Sequence, residues 1–91
     1  GLDAGLVVAG FGGGTVPDTM ADALRERASS GTSIVISSRV PKVTVLPETM
    51  TLEESDRVVA SRHLNPQKAA VLLSLSLAAG CTPLSSFEAL Q

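Results

Sequence analysis

Ninety-one residues make one domain or a piece of one, with no room for a catalytic domain beside a separate substrate domain. Apolar residues make up 44% and charged residues 18% of the chain, a mix that excludes intrinsic disorder. The net charge of -2 and only two aromatics, Phe11 and Phe87, argue against a nucleic-acid partner, which needs a basic surface or stacking platforms.

The single cysteine, Cys81, can form no internal disulfide and excludes paired-thiolate metal sites. It reads as a lone buried thiol near a helix end. The longest apolar-rich run, Ala69–Ala79, is interrupted by Ser74 and Ser76 and falls short of the ~20 residues that span a bilayer, so no membrane partner is expected. The chain begins at Gly1 and shows no signal-peptide pattern; it is expected to be processed or cut from something longer.

Leu6-Val7-Val8-Ala9 is a short apolar run of the kind found in strands buried on both faces. The cluster Gly10-Phe11-Gly12-Gly13-Gly14 follows as a loop in which the backbone can take positive φ. Thr15-Val16-Pro17-Asp18 reads as a helix start with Thr15 as the cap and a proline near the first turn. Met20, Ala21, Leu24 and Ala28 share the expected buried face, Asp22, Arg25 and Glu26 lie opposite, and Gly31 stops the helix.

Ser33-Ile34-Val35-Ile36-Ser37 is a second strand rich in β-branched residues, which completes a βαβ unit with parallel strands. Residues 42–57 have no clear period and contain Pro47. They read as a long excursion loop, and loops of that length are often functional. Val58-Val59-Ala60 is a third short strand.

Asn65-Pro66 opens a second clear helix with a cap and a first-turn proline. Ala69, Leu72, Leu73, Ser76 and Ala79 trace its inner stripe, and its apolar character on nearly every side predicts extensive burial. Gly80 ends it, and Thr82-Pro83 opens a final helix through Leu90. The fold class expected is α/β, a three-layer α/β/α arrangement around a short parallel sheet of about three strands.

A glycine-rich strand-to-helix loop invites a dinucleotide reading, with Arg39 placed to meet a 2′-phosphate. The spacing fails: counted from Gly10 or from Gly12, the third glycine position holds Thr15 or Pro17. The alternative is a turn that needs positive φ. His63 is the only histidine, no motif joins it to a nucleophile, and it reads as a surface or loop residue before the Asn65 cap. Glu48, Glu53, Glu54 and Asp56 offer paired carboxylates or a metal site, but the expected reading is a solvated acidic loop. Arg39 can anchor a subunit contact or pair with that loop.

Three ordered stretches carry a family resemblance: Ala9-Gly10-Phe11-Gly12-Gly13-Gly14-Thr15, Ser37-Ser38-Arg39-Val40-Pro41, and Leu64-Asn65-Pro66-Gln67-Lys68-Ala69. Together they resemble the C-terminal domain of the bacterial-type L-asparaginases. Those are homotetrameric amidohydrolases that convert L-asparagine to aspartate and ammonia, some with glutaminase activity. The resemblance implies no cofactor and no metal. It implies that the threonine nucleophile belongs to an N-terminal domain, so that no catalytic residue lies in this chain and the chain alone is inactive.

In that family the C-terminal domain lends substrate contacts to a neighbouring subunit's active site. One comes from the residue closing the glycine loop, here Thr15, whose hydroxyl keeps a hydrogen bond to substrate possible beside a capping role. The second is a glutamate in the following loop. Ungapped counting places Met50 there, and Glu48, two residues earlier, is the nearest candidate. Arg62 and His63 also depart from the family's small or hydroxyl residues before Leu-Asn-Pro.

The family's domain usually opens with a further strand and helix, and Gly1–Gly5 resembles the tail of that helix and its turn. The chain is therefore expected to be one incomplete domain over residues 1–91. Its partners are expected to be an asparaginase N-terminal domain, neighbouring subunits and an amino-acid amide substrate. An open sheet edge would promote association. The alternatives are an NADP-type nucleotide-binding βαβ fragment and a non-catalytic interaction domain.

Overall fold

A computed structural model describes residues 5–10, 12–38, 40 and 43–90. The elements run β1 (Gly5–Gly10), α1 (Asp18–Ser29), β2 (Ser33–Ser38), β3 (Val58–Ala60), α2 (Pro66–Ala78) and α3 (Pro83–Glu88). The strands form one parallel sheet in the order β1-β2-β3. This is the α/β class expected.

The register explains how a chain so poor in aromatics builds two cores. Val7, Val35 and Val59 stand side by side across the sheet, as do Val8, Ile36 and Ala60. Because side chains alternate between faces, the two rows belong to opposite layers. Val35 and Val59 pack with Ala69 and Leu73 of α2 and Phe87 of α3. Ile34, Ile36, Val58 and Ala60 pack with Ala21 and Leu24 of α1. Each fully buried Ile or Phe contributes roughly 1.5–3 kcal/mol of apolar transfer.

The excursion loop belongs to the α1 layer. Val45, Met50 and Leu52 are buried in the same cluster as Ile34 and Ile36. Three inward apolar residues therefore hold a segment of irregular backbone against the sheet. An isolated antiparallel bridge from Val45 to Arg62 fixes its entry beside the end of β3.

Several expectations are corrected. β1 is not buried on both faces: Gly5, Leu6 and Ala9 are exposed, because β1 is an edge strand with β2 as its neighbour. The first helix begins at Asp18 with Pro17 at the cap position and no side-chain cap. Thr15 is not the cap because the backbone of Gly14 and Val16 is bonded to the excursion loop, which keeps the segment extended. Asp18 in the first turn meets the positive helix end instead.

Met20 is 44% exposed; it lies one residue, about 100° of helix rotation, from the inward Ala21. The helix α2 is buried along Ala69, Leu73 and Ser76 only, while Val71 and Leu75 are 61% and 62% exposed. One stripe suffices to cover the sheet, and no described residue covers the opposite side. Ala79, at the C-cap, is exposed. Cys81 is exposed, since it sits past Gly80 in the link between α2 and α3. The helix α3 ends at Glu88 rather than Leu90.

The caps at Asn65 and Thr82 form as read: Asn65 Oδ1 accepts from the Lys68 amide at 2.8 Å, and Thr82 Oγ1 from the Ser85 amide at 3.4 Å. The readings placed on Gly1–Ala4, Phe11, Arg39 and Pro41 lie outside the described residues.

Candidate functional site

Open α/β sheets bind ligands beyond the carboxyl ends of their strands. Two segments meet there: the glycine loop after β1 and the excursion loop after β2. Their junction is specified by glycine. Gly14 has φ +105°, and a Cβ on it would fall 2.7 Å from Val45 Cγ1 and 2.9 Å from Met50 Cβ. The missing side chain thus admits the second loop. A Cβ on Gly13 would fall 2.9 Å from Thr49 Cβ.

Threonines complete the junction. Thr49 Oγ1 donates to the Gly13 carbonyl at 2.7 Å and accepts from the Leu46 amide at 3.1 Å. Thr51 Oγ1 accepts from the Val16 amide at 3.0 Å, and the Thr51 amide donates to the Gly14 carbonyl at 3.4 Å. Thr15 therefore lies between two residues bonded to Thr51, and Glu48 immediately precedes the threonine bonded to Gly13. Both Thr15 and Glu48 are exposed. Met50 is 7% exposed and faces the core.

The acidic loop is not uniformly solvated. Glu54 forms a two-pronged ion pair with Arg62: Nη1 donates to Oε2 at 3.0 Å and Nη2 to Oε1 at 3.2 Å. Glu54 Oε2 also accepts from the Ala60 amide at 3.0 Å. Arg62 is 3% exposed, its Nη1 donates to the Ala60 carbonyl at 2.8 Å, and its backbone has φ +59°. Glu53 and Asp56 face solvent, as does His63. Among the described residues no group of three or more His, Cys, Asp or Glu side chains could hold a metal ion, and no helix is long and apolar enough to cross a membrane.

Thr49, Thr51 and Arg62 escape a reading of the sequence as anchoring groups, and Glu54, weighed as a paired carboxylate or metal ligand, reads there as part of a solvated acidic loop rather than as Arg62's partner. The threonines act 35 and 36 residues away, and Glu54 and Arg62 are eight residues apart on irregular backbone, where no helical or strand period pairs them. The local signal is that Arg62 departs from the small or hydroxyl residue that the family resemblance implies before Leu64-Asn65-Pro66.

The chain matches the glutaminase/asparaginase C-terminal domain over residues 3–86. It belongs to that family. The matched span takes in both loops and all three strands of this asparaginase-type domain. It is 42% identical over 73 residues to "L-asparaginase 2" of Escherichia coli strain K12, covering 80% of this chain and 21% of that protein. It is 41% identical over 73 residues to "Probable L-asparaginase periplasmic" of Haemophilus influenzae, again covering 80% of this chain and 21% of the relative. The aligned part of the asparaginase C-terminal domain is thus about a fifth of the length of these relatives. No solved structure matches the chain.

Proposed function

We propose that this chain serves as the greater part of the C-terminal domain of an L-asparaginase-type amidohydrolase, hydrolysing L-asparagine to L-aspartate and ammonia. In this reading the nucleophilic threonine is supplied by an N-terminal domain. The chain contributes subunit association and one wall of the substrate site. Thr15 offers a hydroxyl and Glu48 a carboxylate suited to the substrate's amino group. No cofactor or metal is required. The chain alone is inactive, because a nucleophile and the base that activates it must stand within hydrogen-bond reach of each other.

The observation that carries this reading is the bonded junction between the glycine loop and the excursion loop. It ties together the two loops that carry Thr15 and Glu48, both exposed, which supports a shared site at the carboxyl end of the sheet. The nucleotide-binding alternative has less support. Two of the loop glycines that would cradle a phosphate, Gly13 and Gly14, are packed against Thr49, Val45 and Met50. Asp18 also brings negative charge to the first turn of α1, where a phosphate would need positive potential.

The test is ammonia release from L-asparagine. A hybrid in which this chain replaces the matched segment of the E. coli relative is expected to hydrolyse asparagine, and the chain alone is not. Hydrolysis by the isolated chain overturns the reading, as does a folded hybrid that binds no amide substrate.

A further inference from the structure

Arg62 is placed where an arginine is expensive. Its φ of +59° lies in the left-handed region that favours glycine, asparagine or aspartate. Its charged head is almost wholly removed from water, and its Nε has no hydrogen-bond partner. Such a residue persists where its other contacts over-determine it; one ties it to the Ala60 carbonyl of β3, and the others, to Val45 and Glu54, bear on one segment.

The Arg62 carbonyl accepts from the Val45 amide at 2.9 Å, near the start of the excursion loop. The guanidinium grips Glu54 near the loop's end. One residue thus holds both limbs of the segment whose middle carries Glu48, Thr49 and Thr51. Thr49 and Thr51 in turn hold Gly13, Gly14 and Val16. A planar guanidinium suits this task because its paired donors fix orientation as well as distance.

We infer that Arg62 is a positioning residue: paired with Glu54, it sets the excursion loop so that Glu48 and Thr15 stand together at the substrate site. The part concerning substrate rests on the proposed function; the part concerning the loop does not.

The test has two independent arms. The first is backbone amide exchange on the 91-residue chain, comparing Thr51, which bonds to Gly14, with Ile36 in the central strand. Arg62→Gly relieves the backbone while removing the grip, and Glu54→Gln keeps the shape while removing the charge. Both are expected to speed exchange at Thr51 by about tenfold relative to Ile36, the mark of local rather than global opening. Arg62→Lys is expected to recover part of the protection. Equal changes at Thr51 and Ile36, or none, overturn the inference.

The second arm is the hybrid enzyme with the same substitutions. KM for asparagine is expected to rise by about tenfold with kcat held within about twofold, the pattern of lost substrate binding. Localised exchange with an unchanged KM overturns the positioning role. A hybrid without asparagine hydrolysis bears on the proposed function alone and leaves the exchange arm to decide the loop.

Discussion

The hydroxyl of Thr49 donates to the carbonyl of Gly13 at 2.7 Å across 36 residues of chain. That bond makes the glycine loop and the excursion loop one surface. It also explains a threonine on an otherwise solvated turn. Thr49→Val keeps the shape and removes the hydroxyl. The change also removes the acceptor of the Leu46 amide, so stability is expected to fall by about 1–2 kcal/mol, the usual worth of two such bonds at an exposed site. Urea unfolding of the two chains checks this, and an unchanged midpoint would show that the junction is held by packing alone.

Gly14 and Gly12 both have positive φ, but they should respond differently to alanine. A Cβ at Gly14 meets Val45 and Met50 below 3.0 Å, whereas one at Gly12 meets nothing within 4 Å. Gly12→Ala is expected to cost about 1 kcal/mol through backbone strain alone. Gly14→Ala adds overpacking and is expected to cost about 3 kcal/mol. Paired denaturation curves distinguish the two, and similar losses would contradict the packing at Gly14.

Met50 occupies the position that ungapped counting assigns to the family's substrate-binding glutamate. Here it is buried with Ile34 and Ile36. Met50→Glu therefore sets a carboxylate into an apolar cluster and is expected to destabilise the chain by about 3 kcal/mol or more. A neutral effect on thermal unfolding would show that the loop turns position 50 outward, and Glu48 would lose its claim to the role.

The exposed apolar side of α2 is expected to drive self-association of the isolated chain. Val71 and Leu75 are 61% and 62% exposed, and β1 leaves a sheet edge beside α2. Val71→Lys with Leu75→Lys is expected to lower the average mass seen by sedimentation while changing stability by no more than about 0.5 kcal/mol. An unaltered mass would place any association elsewhere.

Local chemistry was legible where it acts locally. The β-branched run at Ser33–Ser37 and the Asn65-Pro66 cap each occupy a few adjacent residues, and β2 and the start of α2 form as read. The Thr15 cap failed because a pattern of four residues competes with the bonds that Thr51 makes to Gly14 and Val16. The depth of β1 and of α2 failed for another reason: apolar residues reveal a wish to be covered, and only the neighbouring elements decide whether they are. Glu54 read as one more solvated acid because Arg62 reaches it through a left-handed turn that no periodic pattern reveals. At the candidate site Thr15 and Glu48 came from family resemblance, whereas the bonds that tie their loops are visible only in three dimensions.

The most direct measurement is KM for L-asparagine, read by ammonia release from the hybrid enzyme carrying Thr15→Val or Glu48→Gln. Both residues are exposed, so folding should survive either change. Each change is expected to raise KM by about tenfold while kcat is largely kept, with no ammonia from the isolated chain. Unchanged KM in both variants would contradict it, and so would ammonia release by these 91 residues alone.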